Sequence, residues 1–590
     1  MNKSVSPAAI YAAALVLAAC SLLYELLIAQ TLATLAANTV VWYSVTIGVY
    51  LASMGIGALL HQRYATGDLW VRLFRVELGL CVVGAIAVPI LNFAHTGGLL
   101  LSYADLVTLS NIVFFGSAFL LTATIGVLTG FELPLLIDLA NAASSEKRVT
   151  NRVLAADYMG SLLAGLVFPL VLMPHIGLIV IGLLTAAVNL AVALVALRWL
   201  LPKTGRGMPR LAVSGSVTGL ILLALYYSPP IEQYFIKNYY FYSNHLDDFN
   251  GLVFSLRHMD DVQRERSPYQ RIDLVYDDNG YPRDVIIDYY STKFTEKPAQ
   301  PRNYTLFLNG DFNVTSNYED YYHEYFAHVP IAIFGRTPRR VLVLGAGDGL
   351  LIRELVKYPQ VESIFHVDLD PKLVEMAMNH PVLRTMNENA LEDPRVDTRL
   401  DDAFRFVRNS TETYDAIFLD FPYVEDYNLS KLYSREFFHF VRQRLAPDGF
   451  IVLDAPGLDY DTELREIYLN TVIAAGYDYV KPYLSTVERE NPEALRMLLE
   501  SGMKRFRARR FLIEHSYDVS NGFLLAANKA PEAPMFLDPE LPLHVLNEDR
   551  LQLTLDRDLP VLMKLEPDKV NSIFRPTLPA EDIWAVRRAW

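Results

Sequence analysis

Residues 341–370 hold the densest chemical pattern in the chain. Val341 to Leu344 are four consecutive apolar residues, as in a strand buried on both faces. Gly345, Gly347 and Gly349 follow at once, and glycine permits both a sharp turn and close approach of a ligand to the backbone. A helical pattern runs from Ile352 to Val356, and a second apolar stretch, Ile364 to Val367, ends in Asp368. An acid roughly twenty residues past such glycines is spaced to meet ribose hydroxyls in a doubly wound fold. A further strand pattern, Tyr414 to Leu419, ends in the carboxylate of Asp420, at the sheet edge where such folds collect ligands. Strand, glycines, helix, strand and acid in register predict an α/β Rossmann-like domain for a nucleoside-type ligand. A glycine triplet alone would not.

The elements that must position these residues occupy the second half of a long chain. At 590 residues the chain predicts two or three domains. Its 52% apolar content and mean hydropathy of +0.20 are high, and the excess lies in residues 8–228. Seven apolar stretches there approach the length that spans a bilayer: 8–29, 38–60, 76–93, 109–130, 153–173, 176–200 and the short 211–228. Arginine and lysine are confined to alternate connections. Arg63, Arg72 and Arg75 lie in the second, Lys147, Arg148 and Arg152 in the fourth, and Arg198, Lys203, Arg206 and Arg210 in the sixth. The positive-inside rule puts these loops, and Lys3, in the cytoplasm. Seven full spans would then leave residues 229–590 outside, away from a cytoplasmic cofactor. A cytoplasmic catalytic half is therefore expected, with one stretch failing to span and 211–228 the prime suspect.

Leu17-Ala-Ala-Cys20 matches a lipoprotein cleavage box, but the apolar run after it favours an uncleaved helix. Glu25, Glu77, Glu132 and Asp157 fall within or at the edges of spans, where ionisable groups are costly and are by default functional candidates. Pairing with a neighbouring helix is the plainer explanation. Residues 229–590 hold 41 Lys+Arg against 58 Asp+Glu, a balance of about −17 that argues against nucleic acid and suits a cationic substrate. Cys20 and Cys81, the only cysteines, both fall in apolar stretches, so the second half has no disulfide framework or cysteine metal site.

Pro229 and Pro230 end the last apolar stretch. Beyond them Arg271–Tyr276 and Asp284–Asp288 flank Asp277-Asp-Asn-Gly280 and read as a hairpin. Thr305 to Leu308 lead into a second turn at Asn309-Gly310, and Tyr318 to Phe334 read as a helix. His323 and His328 are five apart, not the four of a helical zinc pair, so no metal is expected. The domains are then 1–228, transmembrane; 229–335, a small antiparallel β-domain with a connecting helix; 336–530, the nucleotide fold; and 531–590, a proline-rich tail, irregular and packed on the β-domain.

Several motifs together resemble the spermidine synthase family of aminopropyltransferases, in a branch with a multi-span N-terminal domain. They are Ser267-Pro-Tyr-Gln-Arg-Ile272, Leu306–Thr315, Tyr322-His-Glu324 with Ala327–Pro330, Gly345-Ala-Gly-Asp-Gly349, Asp420, and Lys431–Phe438; Gly130–Leu136 resembles the membrane branch. The resemblance implies transfer of an aminopropyl group from decarboxylated S-adenosylmethionine, as co-substrate, to a small-molecule amine, with release of methylthioadenosine. It implies no metal. The lipid bilayer, in a bacterial inner membrane, is an expected partner, and a second copy of the chain is admitted as another.

Under that resemblance Gly345, Gly347, Asp348, Asp368, Asp402, Ala403 and Gln270 hold the co-substrate, with Asp402 and Ala403 at the adenine amino group. Tyr322, His323, Asp348 and Tyr423 line the amine site, and Asp420 is the general base that takes a proton from the attacking ammonium. Ordinary S-adenosylmethionine enzymes carry their acid before the glycines, where Val343 stands here. Asp348 comes after Gly347, so it would attract the ammonium of the decarboxylated molecule and repel the carboxylate of the ordinary one. At ~4 Å that difference reaches a few kcal/mol even at an effective dielectric of ~20.

Departures from the family's usual pattern are Asn309 and Asn313 in the gate, Tyr423 and Val424 after the catalytic strand, and Asn521 before Gly522-Phe523. They remove groups that would hold a diamine and disfavour putrescine as acceptor. Asp401 reads as a cap for the helix at 403–408, and Glu319 as a solvated first-turn acid. A methyltransferase, and a transporter or sensor with a nucleoside- or polyamine-binding domain, stay open as alternatives.

Overall fold

The structure, a computed structural model, describes residues 6–36, 39–63, 68–103, 106–144, 148–200, 207–245, 262–277, 303–316, 319–422, 424, 427–458, 461–485, 521–556, 559 and 565–578. The chain divides into two compact units, Met1–Asp261 with Glu581–Trp590, and Val262–Ala580.

The first unit is helical: α1 (Pro7–Leu35), α2 (Thr39–Arg63), α3 (Leu69–Tyr103), α4 (Val107–Ala143), α5 (Val149–Val167), α6 (Leu178–Leu200), α7 (Gly207–Tyr226) and α8 (Ser228–His245). Ser6 starts α1 by accepting from the Ala9 N–H, with Pro7 in the first turn where its missing N–H costs nothing. Cys20 is buried inside α1, in continuous helix. Six segments, α1 to α6 with α5 continuing to His175, are long and apolar enough to cross a membrane. The seventh expected stretch is one arm of a pair, α7 and α8, bent by 60°. Pro229 and Pro230 open the second arm, which is where a helix tolerates them. The helical unit thus runs on past the expected boundary at 228.

The second unit holds two sheets. The smaller is an antiparallel meander of β1 (Gln263–Arg266), β2 (Arg271–Asp277), β3 (Asn303–Leu308) and β4 (Asp311–Thr315). The Asp284–Asp288 half of the expected hairpin lies outside the described residues. A helix, α9 (Glu319–Phe334), leads into the large sheet, as expected from 318–334.

The large sheet has the order β10-β11-β9-β8-β5-β6-β7. It consists of β5 (Arg340–Gly345), β6 (Ser363–Asp368), β7 (Val396–Leu400), β8 (Tyr414–Asp420), β9 (Leu445–Asp454), β10 (Tyr479–Leu484) and β11 (Gly522–Ala527). All neighbours from β7 to β9 are parallel, and β11 enters antiparallel between β9 and β10. Val341, Leu342, Val343 and Leu344 are wholly buried, because helices cover both faces of such a sheet. Among them are α10 (Leu350–Val356), α11 (Pro371–Asn379), α12 (Ala403–Asn409), α13 (Arg435–Gln443) and α14 (Thr462–Ala474). The strand order reverses between β5 and β8, and such a switch point opens a crevice at the carboxyl ends of the strands.

The tail departs from expectation. It forms a helix, α15 (Glu548–Asp556), and buries Val545, Leu546 and Leu551 in the core shared by α9 and the large sheet. The β-domain packs instead on Leu350, Leu373, Met376 and Leu383. Tail packing on the large sheet follows from Glu324. Its buried carboxylate accepts the backbone N–H groups of His544, Val545 and Leu546, and a buried charge requires such partners.

Candidate active site

The site is assembled at the switch point. Gly345 sits at φ +85°, and a Cβ there would overlap the carbonyl oxygen of Asp420 on the adjacent strand. Only glycine lets the loop begin that close to β8. Gly347 is needed for a second reason: a Cβ would lie 2.8 Å from the Asp368 carboxylate. Asp348 starts α10 by accepting from the Leu350 N–H at 3.0 Å. Its carbonyl takes the Asn387 amide at 2.9 Å. His366 donates from Nε2 to the Gly345 carbonyl at 2.8 Å, and burial pushes its imidazolium down to about 4. A neutral imidazole therefore pins the loop at neutral pH.

Asp368 ends β6, is buried, and accepts the Asp370 N–H at 2.7 Å. Burial, with the nearby acids adding, pushes its carboxyl up to about 7. Gln270 arrives from the β-domain and donates to Asp370 at 2.7 Å, and Ser267 donates to the same oxygen at 2.8 Å. Asp370 also caps α11 through the Lys372 N–H. It was not a candidate in the sequence, although Ser267 and Gln270, which grip it, belong to one quoted motif.

Asp402, with Ala403 beginning α12, lies just past β7. The cap of that helix is Asp402, which accepts the Arg405 N–H at 2.9 Å, and not Asp401 as expected. Asp401 instead accepts the Asp402 N–H and pairs with Arg405. The second Asp402 oxygen pairs with Lys431 at 3.0 Å.

Asp420 ends β8, partly accessible yet enclosed by protein. Burial, then the charge of Asp348, pushes its carboxyl up to about 6, against the lowering effect of His323 and the Tyr322 hydrogen bond. The Tyr322 hydroxyl donates to Asp420 at 2.7 Å. The Tyr322 ring stands edge-on to His323 at 4.9 Å. His323 is buried, its Nδ1–H donates to the Glu319 carbonyl, and its imidazolium is favoured because Glu319 beside it outweighs burial.

Glu319 is no solvated acid: it is buried and pairs with Arg353 at 2.7 Å. Asn309 turns its side chain to the Arg271 N–H and so belongs to the hairpin turn. Asn521 approaches the Tyr321 carbonyl at 3.5 Å. Tyr423 lies outside the described residues.

A second residue escaped the sequence reading. Asp454 ends β9, the strand beside β8, and its carboxyl is raised well above the usual range by burial and then by Asp420, with Tyr322 as a hydrogen-bond partner. Tyr322 therefore faces two carboxyls from adjacent strands. The signal was available, since Asp454, like Asp420, closes an apolar strand.

Residues 319–505 match the family described as "Spermine/spermidine synthase domain". The chain is 31% identical over 439 residues to the polyamine aminopropyltransferase of Leptospira interrogans, covering 74% of this chain and 77% of that protein. The chain belongs to the polyamine aminopropyltransferase family. Polyamine aminopropyltransferase 2 of Aquifex aeolicus is 32% identical over 450 residues, covering 76% of this chain and 79% of its own. Among solved structures, a spermidine synthase in complex with the transition-state analogue AdoDATO gives a TM-score of 0.37 at 20% identity, covering 51% of this chain and 85% of that one. The glycine loop and Asp420 lie inside the segment that matches the family, whereas Gln270 precedes it.

Proposed function

We propose that this family member is an integral-membrane aminopropyltransferase whose co-substrate is decarboxylated S-adenosylmethionine and whose acceptor is a small amine. The observation that carries the reading is the pair of acids at the switch point, Asp348 after the glycines and Asp420 held by Tyr322 at 2.7 Å. Asp348 would hold the co-substrate's ammonium, Asp368 its ribose, and Asp402 with Ala403 its adenine. Gln270 would act through Asp370 and the start of α11. The acceptor arrives as an ammonium without a lone pair. Asp420 takes one proton, and the freed nitrogen attacks the carbon beside the sulfonium. The carbon–sulfur bond breaks with its electrons returning to sulfur, and neutral methylthioadenosine leaves without needing an acid. Tyr322 and His323 would border the amine.

Asp454 bears on the acceptor. The sequence disfavoured putrescine because Asn309, Tyr423 and Asn521 stand where the family usually has two acids and an indole, and a buried cation without a partner is penalised. Asp454 supplies a carboxyl beside Asp420, so the acceptor is proposed as an amine without that restriction. Membrane embedding is supported by six apolar helices and the alternating basic loops. After six spans the chain is again on the basic, cytoplasmic side, and the bent pair α7–α8 then enters and returns, leaving the catalytic half there.

Calorimetry with decarboxylated and ordinary S-adenosylmethionine tests the reading. The wild type should favour the decarboxylated form, and Asp348→Asn should narrow the ratio by roughly tenfold or more, the effect of ~1.4 kcal/mol. Equal affinities in the wild type, or an unchanged ratio in the variant, would overturn the assignment.

A further inference from the structure

Deep in the helical unit, four helices bring polar groups to one place. Glu77 of α3 is wholly buried and Glu132 of α4 nearly so. Their carboxyl groups are within hydrogen-bonding reach of each other. The Asn189 amide of α6 donates to Glu77 Oε2 at 2.7 Å, and the Tyr24 hydroxyl of α1 donates to Asn189 at 3.1 Å. Gly84 makes room for that tyrosine, since a Cβ there would overlap its ring. Among the described residues, Glu77 Oε1 and Glu132 Oε1 have no hydrogen-bond donor, and no Lys, Arg or His forms an ion pair with either carboxyl.

The other titratable groups that face the pair are Cys20, Tyr24, Cys81 and Asp157, with Tyr50 beside Glu132. None is cationic. Arg72, earlier on α3, is engaged with His61, and Arg75 is exposed.

Two touching carboxyls cannot both carry charge in such a place without a cation between them. A purely structural cluster would have its oxygens satisfied. Here one oxygen of each carboxyl is without a donor, and a proton or another cation between the two groups supplies what they need.

We propose that Glu77 and Glu132 form a cation-exchange site in the helical unit, holding one shared proton and releasing it when a monovalent cation, a metal ion or a protonated amine, takes its place. One positive charge enters as one leaves, so the pair keeps a single net negative charge. The site is separate from the aminopropyl-transfer chemistry and does not depend on it.

The test uses the full chain in phosphatidylcholine nanodiscs. Infrared spectroscopy reads the protonated-carboxyl band, and a pH-indicating dye reads proton release on addition of sodium chloride or methylammonium chloride, with choline chloride as the ionic-strength control. The wild type should show the band and release about one proton per chain. Glu77→Gln and Glu132→Gln should each abolish release while aminopropyl transfer persists, which reports that the protein is folded. Asp420→Asn should release like the wild type. Release with sodium alone assigns a metal cation, and release with methylammonium alone assigns an amine. No release by the wild type with either salt, or undiminished release by both glutamine variants, overturns the proposal.

Discussion

Asp420 shows how one side chain can be poised for its step. Burial and the neighbouring Asp348 favour its neutral form, His323 and the Tyr322 hydroxyl favour its charged form, and the balance leaves it at about 6. A base works only when ionised, so transfer should rise as pH passes upward through about 6 in the free enzyme and level off above. Asp420→Asn keeps the shape and removes the base. It should lower kcat by ~10²–10⁴, while the affinity for methylthioadenosine stays near that of the wild type. A variant with normal turnover would end Asp420's part in the mechanism. At this scale the sequence was informative where the pattern is local: glycines, acid and strand lie in order along the chain. It showed Asp454 only as the end of an apolar strand and could not set it beside Asp420, because that β9 abuts β8 is a fact of strand order. It misjudged Glu319 because the partner, Arg353, is 34 residues away.

At the scale of elements, α9 is the unusual piece. Glu319, His323, Glu324 and His328 are all buried on it, against the ordinary rule that charged groups stay outside unless paired. Their partners come from α10, from the tail and, for His323, from α9 itself. Arg353 of α10 reaches Glu319 and Glu354, His328 donates to Glu354 at 2.8 Å, and the tail satisfies Glu324. Arg353→Met should therefore strip buried Glu319 of its bidentate guanidinium, while Glu354 keeps Lys357 at 2.6 Å, a loss of ~3–5 kcal/mol. Thermal inactivation in detergent checks it, and Arg353→Lys should recover only part, because an ammonium cannot form the bidentate pair. Inactivation at the wild-type temperature would show the network to be dispensable. The helix itself was legible from its composition. Its partners were not, since a helical pattern records which residues point inward but not what they meet.

At the scale of the whole molecule, the proposed membrane embedding can be tested through its sidedness. A reporter active on only one side of the membrane, fused after Trp590, should report the cytoplasm. Activity of a reporter that works only outside would instead make α7 and α8 one crossing and leave the co-substrate without a supply. The six long apolar helices were legible because each is a continuous apolar run in the sequence. The bend was foreshadowed only by the short 211–228 stretch, and the packing of the tail not at all. That packing has a consequence in time. Glu324 is translated 220 residues or more ahead of the three N–H groups that receive its charge. At about 5–20 residues per second the ribosome takes roughly 10–45 s to supply them. For that interval the helix bearing Tyr322 and His323 carries a carboxylate with no home, so the nascent enzyme stays unfinished, and inactive, long after its catalytic strand has been made.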